Sequence, residues 1–294
     1  MIFLWCVLAS TCISVGFKLF TKFGINTFNA IVINYTVCLT LGSLLDPTVT
    51  YPFSKEITSS PWFLYDALLG SVFIIGFNLT AHAIQVAGIT LTSLMQRMSL
   101  ILTVAFTVIF FHEHFGLIEI SGITCAILAI IAINQKGKRF NLTGLHPFPW
   151  ILVAVLMLSA VVEILLYYVE KSHLVGDAQM AFTTHGFGCA AIWGWISLIW
   201  LALRKRLKLT RKDVVAGIML GIPNFFSIYL LMVMLNQGWN GSIMYPMLNV
   251  SVLMVSTLVA VYFFREKLNR MNWIGVFFAS MAIFLIAYAH HSHQ

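Results

Sequence analysis

Ten apolar runs, each of membrane length, constrain this chain more than any other feature. They fall at 2–20, 27–45, 62–84, 89–111, 115–135, 149–168, 178–202, 214–235, 241–264 and 271–289. A helix that crosses the hydrocarbon layer needs about 20 consecutive apolar residues, because lipid offers no partner to an unpaired backbone group. The connections are short. The longest, "DPTVTYPFSKEITSSP", is rich in Pro and Ser and carries no helical pattern. Only 9% of the 294 residues are charged and 60% are hydrophobic, against about 25% charged in a soluble domain. The expected fold is therefore all-α and integral to a membrane, with ten transmembrane helices. The first run lacks a charged leader, and its first cations, Lys18 and Lys22, follow the apolar part. It reads as a retained helix, not a signal peptide.

Basic residues set the expected orientation. Of the 17 Lys and Arg, all but Lys55, Arg97 and Lys171 lie in or beside the connections after runs one, five, seven and nine. The positive-inside rule makes those connections cytoplasmic, which puts both termini outside the cytoplasm. The expectation is a multi-pass protein of the plasma (inner) membrane, monomeric or homodimeric, whose partners are a small-molecule solute and the lipid bilayer. The net charge of +7 sits in short interhelical caps. It does not describe a nucleic-acid surface, and no nucleic acid is expected as a partner.

An internal repeat runs through the chain. An offset of 153 carries "FFHEH" (110–114) onto "FFREK" (263–267), Gly88 onto Gly241, Gly122 onto Gly275, Ala126 onto Ala279 and Ala129 onto Ala282. The halves, 1–140 and 141–294, hold five helices each. An odd number obliges the second copy to lie inverted in the membrane. Inverted repeats suit a carrier that alternates access about a midplane site.

With these motifs the chain resembles the drug/metabolite transporter superfamily, EamA type. Each half has a Glu just after its fourth helix ("FFHEH", "FFREK") and a Gly-containing fifth helix ("ISGITCAILAIIAI", "WIGVFFASMAIFLIA"). The resemblance covers nearly the whole chain. It implies a central cavity lined mainly by helices 1, 3, 4, 6, 8 and 9, with helices 5 and 10 peripheral. It also implies transport of amino acids, metabolites, drugs or nucleotide sugars. No motif here marks a nucleotide-sugar or phosphate carrier.

Polar residues inside the runs are the candidate site, since each needs a partner or a water-filled space. Asn78, His82 and Gln85 share one face of the third run. Ser93, Gln96 and Arg97 lie together on the fourth, and Ser159, Glu163 and Tyr167 on the sixth. Ser242, Tyr245 and Asn249 share a face of the ninth. The eighth run adds Asn224 and Tyr229. Substrate binding is assigned to Arg97, Gln96, Asn78, His82, Asn224, Tyr229, Tyr245 and Asn249, and proton coupling to Glu163. Arg97 and Glu163 stand out because a charge at a helix centre costs about 2.5–3.5 kcal/mol on insertion scales. With no solute bound, Glu163 or water is expected to satisfy Arg97; the alternative is that Arg97 and Glu163 pair with each other or with backbone carbonyls for structure alone. Serines such as Ser93 and Ser242 serve equally well as glue between helices. Glu113 and Glu266, at helix ends, read as capping or loop-ordering groups. Gly217 and Gly221 in "GIMLG" have the spacing that lets helices approach closely.

No catalytic residues, cofactor or metal are expected. The five cysteines lack ligand spacing, and the "HEH" at 112–114 splits its histidines from the face a zinc helix needs. No "GxxxxGK[ST]" occurs. The function these features suit is secondary-active transport of small amphipathic metabolites, above all amino acids or related carboxylate-bearing solutes. Rival functions are a lipid or polyprenol-carrier flippase and an integral-membrane enzyme on a lipid-linked substrate. The enzyme would need acidic or His residues clustered at one membrane face, and "FHEHFGLIE" is the only candidate.

Overall fold

The structure, a computed structural model, describes residues 1–46, 55–87, 89–113, 116–134, 150–174, 178–205, 208–265 and 268–292. Gly88, His114, Glu266 and the side chain of Gln85 lie outside the described residues. Ten long helices follow the ten apolar runs: α1 (Ile2–Phe23), α2 (Thr27–Leu45), α3 (Phe63–Ala87), α4 (Ile89–Phe111), α5 (Leu117–Asn134), α6 (Trp150–Ser172), α7 (Gln179–Leu203), α8 (Arg211–Asn236), α9 (Gly241–Phe264) and α10 (Arg270–Ser292). A single helical turn, Lys55–Thr58, precedes α3. Among the described residues, nine of the ten are long and apolar enough to cross a membrane, and the tenth, α5, is apolar over Leu117–Ile133.

The chain forms two compact units, and each takes helices from both halves of the sequence. The first comprises Met1–Ala81 and Leu165–Gln237; the second comprises His82–Ile164 and Gly238–Gln294.

In the first unit, α2 packs on α7 and α8, and α1 on α8. Small residues make the approach possible. A methyl group built on Gly217 would stand 2.5 Å from the Ala30 carbonyl oxygen, and one on Gly221 would stand 2.6 Å from Val37. The "GIMLG" spacing thus brings α8 against α2, as the sequence leads one to expect. One carboxylate fastens the helix starts. Asp213 accepts from the Thr210 N–H in a capping box, from the Asn26 N–H at 2.9 Å and from Asn29 Nδ2 at 3.1 Å. An acidic group at two helix N-termini also complements their dipoles.

In the second unit, α5 and α10 pack along a seam of Ala126, Ala129, Ala279 and Ala282, all 0% exposed. Contacts at its two ends are reciprocal. A methyl on Gly122 would meet Ile286 Cγ1 at 2.6 Å, and one on Gly275 would meet Ile133 Cγ1 at 2.6 Å. These are the same pair of positions displaced by the repeat offset. Helix α9 packs on α4, α5 and α10. Glu113, just past α4, accepts the backbone N–H groups of Gly241 and Ser242, each at 3.0 Å. It therefore caps the start of α9, one turn before Tyr245 and Pro246.

Candidate functional site

The second unit assembles four of the expected site residues: Arg97 on α4, Glu163 on α6, and Tyr245 and Asn249 on α9. Asn249 joins the two charges. Its backbone carbonyl accepts from Arg97 Nη1 at 3.0 Å, and its side-chain Nδ2 donates to Glu163 Oε1 at 3.2 Å. Tyr245, 1% exposed, donates its hydroxyl to the Glu163 backbone carbonyl at 2.8 Å. Arg97, Glu163 and Asn249 are half-buried. Pro246 lies one turn before Asn249 and removes one N–H from the α9 ladder.

Arg97 does not bond Glu163 directly. Among the described residues its hydrogen-bond partner is the Asn249 carbonyl, a backbone partner of the kind the sequence also allows. A carbonyl suits a lipid-embedded guanidinium because it satisfies a donor without desolvating a second charge. It also leaves the Glu163 carboxylate to other donors.

Those donors are Ser99 and Thr103, which the sequence reading did not single out. Both are 0% exposed. Ser99 Oγ lies 3.1 Å and Thr103 Oγ1 2.6 Å from Glu163 Oε2. Each hydroxyl has a second acceptor on its own helix: the Gln96 carbonyl at 2.6 Å from Ser99 Oγ, and the Ser99 carbonyl at 3.2 Å from Thr103 Oγ1. Gln96 thus reaches the cluster through its backbone. Gln96, Ser99 and Thr103 follow the spacing of three and four that places residues on one helix face.

The remaining expected residues lie elsewhere. His82 is exposed near the end of α3, in the second unit. Asn78, Asn224 and Tyr229 belong to the first unit. Asn78 is exposed and donates to the Ile74 carbonyl of its own helix at 2.8 Å. Asn224 Nδ2 donates to Asn34 Oδ1 at 3.3 Å, and Tyr229 stacks on Phe225 at 6.0 Å between centroids.

The first unit also holds a buried His–Asp pair that the sequence leaves unmarked. His185 Nδ1 lies 2.6 Å from Asp66 Oδ2, both side chains 0% exposed, between the rings of Trp62 and Phe63. The two residues are 119 positions apart, so no local spacing announces them. No group of three or more His, Cys, Asp or Glu among the described residues is arranged to hold a metal ion.

Comparison with known proteins agrees with this architecture. An uncharacterized protein of Haemophilus influenzae is 30% identical over 297 residues, covering 97% of each chain. A crystal structure of another protein superposes with a TM-score of 0.76 over 100% of this chain and 97% of that one; at 13% identity the likeness is one of fold. Residues 1–135 match the EamA-like transporter family. With its membrane-length helices and a full-length relative, the chain belongs to the EamA-like transporter family of the drug/metabolite superfamily, and is an integral membrane protein.

Proposed function

We propose that this transporter is a secondary-active carrier of small amphipathic metabolites bearing a carboxylate. Arg97 anchors the carboxylate and Glu163 carries the coupling proton. One observation carries the reading: an arginine and a glutamate, both half-buried in apolar helices, meet the two ends of one asparagine and not each other. A purely structural ion pair would close on itself, since an exposed fork of guanidinium donors gains nothing for folding. Held by a single carbonyl, Arg97 keeps donors for a planar, two-oxygen acceptor, which is the geometry of a carboxylate. Tyr245, Asn249 and Gln96 complete the local binding surface in this reading.

Alternating access between inverted halves supplies the motion. The reciprocal Gly122–Ile286 and Gly275–Ile133 contacts support that symmetry, because a two-fold relation makes each contact occur twice with the partners exchanged. The cation distribution supports cytoplasmic placement of the basic connections in the plasma membrane, with both termini outside.

The test is uptake by proteoliposomes of the purified protein from a mixed metabolite pool, read by mass spectrometry with and without an imposed pH gradient. Carboxylate-bearing solutes should accumulate, and the gradient should raise their level. Accumulation of neutral or cationic solutes alone, or of lipid-linked species, would defeat the proposal.

A further inference from the structure

Arg97 and Glu163 differ in how much of their bonding capacity the protein uses. A carboxylate offers about four lone-pair positions. Ser99 and Thr103 donate to Glu163 Oε2 and Asn249 donates to Oε1. A guanidinium has about five N–H donors, and among the described residues Arg97 uses Nη1 alone. The site therefore presents a solute with open cationic donors and an acidic group already enclosed. A lone carboxylate fits that inventory. Among the described residues the one carboxylate position left open is on Glu163 Oε1, and a proton on Glu163 removes its charge, so the ammonium of a zwitterion meets no anionic acceptor once that proton is bound.

The two hydroxyls are arranged for a change of charge on Glu163. Each has one proton and two acceptors within reach: Ser99 Oγ chooses between the Gln96 carbonyl and Glu163, and Thr103 Oγ1 between the Ser99 carbonyl and Glu163. An ionised Glu163 takes both hydroxyl protons. A protonated Glu163 donates from Oε2 to one hydroxyl oxygen, and the hydroxyl protons turn back to the helix carbonyls. Both charge states are satisfied by rotating two hydroxyls, with no helix displaced.

Charge bookkeeping then fixes the partner of the solute. Arg97 from α4 faces the Asn249 bridge, and α9 contributes the Tyr245 hydroxyl and Asn249. With Glu163 ionised, the empty site pairs one negative charge with the positive Arg97, and the two sum to zero. A carboxylate on Arg97 makes the sum negative in a low-dielectric site. One proton on Glu163 restores it to zero.

We infer that the Arg97 site takes monoanionic carboxylates together with one proton bound to Glu163, Ser99 and Thr103 acting as the hydroxyls that change acceptor. This rests on the reading of Arg97 as a carboxylate anchor. The test uses the full chain in detergent and four probes in two matched pairs: 3-phenylpropionate with phenylalanine, and 4-methylpentanoate with leucine. Within a pair only the ammonium differs. Titration calorimetry in two buffers of different ionisation enthalpy counts the protons taken up on binding.

About one proton should be taken up per monocarboxylate, and affinity should fall about tenfold per pH unit once Glu163 is ionised. Each amino acid should bind at least about tenfold more weakly than its deaminated partner. Glu163→Gln should bind monocarboxylates with a flat pH profile and no proton uptake; if that variant does not fold, the wild-type proton count decides alone. Monocarboxylate binding without proton uptake, or tighter binding of the amino acids, overturns the inference and leaves the anchor reading standing. Binding of none of the four overturns both.

Discussion

Replacing Arg97 by methionine separates an anchor from a strut. In the empty site Arg97 makes one hydrogen bond among the described residues, to the Asn249 carbonyl at 3.0 Å. A bond from a charged donor is worth about 1.5–3 kcal/mol. Methionine fills much the same length without the charge and removes an insertion cost of about 2.5–3.5 kcal/mol. The balance runs from about 0.5 kcal/mol worse to about 2 kcal/mol better, so Arg97→Met should fold with stability close to wild type. Glu163, left without a nearby cation, keeps Ser99, Thr103 and Asn249 as partners in either protonation state. Binding should respond quite differently. Two charge-assisted bonds to a carboxylate are worth at least about 3 kcal/mol together, so affinity should fall by more than about 100-fold. Arg97→Lys keeps the charge and loses the fork, and should bind more weakly than wild type while folding normally. Thermal unfolding in detergent reports stability, and the rise in melting temperature with 3-phenylpropionate reports binding. Unfolding of Arg97→Met, or unchanged affinity in it, would refute the reasoning.

A reporter active only in the cytoplasm should be active when fused after Arg204 at the end of α7, and silent behind Gln294; the opposite pattern would reverse the cation argument. His185→Phe strands the Asp66 carboxyl in an apolar surround and should destabilise the first unit by about 3–5 kcal/mol, read by thermal unfolding. Replacing both partners, Asp66→Leu with His185→Phe, should recover most of that loss, and an equal loss in the double variant would show that the pair is not the cause.

The helices were legible because apolar length in lipid admits few alternatives. The run at 214–235 and helix α8 (Arg211–Asn236) differ mainly because Thr210 and Asp213 form a capping box, which lets the helix begin on charged residues. Arg97 and Glu163 stand out in the sequence for the opposite reason, since each carries an insertion cost that a partner or a role must offset. What stayed hidden was partnership. Ser and Thr in apolar helices commonly bond their own carbonyls, as Ser43 and Thr124 do here, so sequence alone does not separate Ser99 and Thr103 from such ordinary residues. Asp66 with His185, and Asn29 with Asp213, lie 119 and 184 positions apart. Such pairs emerge only from how helices cross. Asn249 was read as a side chain, yet half of its role belongs to its backbone carbonyl, a group that carries no signature in any sequence.

Thr103 offers the sharpest test of the hydroxyl arrangement. Thr103→Val preserves the β-branch and volume in a site that is 0% exposed and deletes only the hydroxyl. That hydroxyl lies 2.6 Å from Glu163 Oε2. A bond to the charged carboxylate is worth about 1.5–3 kcal/mol and one to the neutral acid about 0.5–1.5 kcal/mol. Its loss therefore penalises the ionised form by about 1–1.5 kcal/mol more than the protonated form. One pH unit corresponds to about 1.4 kcal/mol. Protonated Glu163 is the form that accompanies a bound carboxylate, so the variant should hold 3-phenylpropionate to higher pH, with the midpoint of the binding profile raised by about one unit. Thr107 is the matched control. It is one turn further along α4 and also 0% exposed, but its hydroxyl bonds the Val104 carbonyl at 3.0 Å. Thr107→Val should leave the midpoint where wild type has it. If both valines move the profile equally, the effect is one of general packing. If Thr103→Val leaves it in place, Thr103 does not sense the charge on Glu163, and the acceptor exchange has no part in coupling.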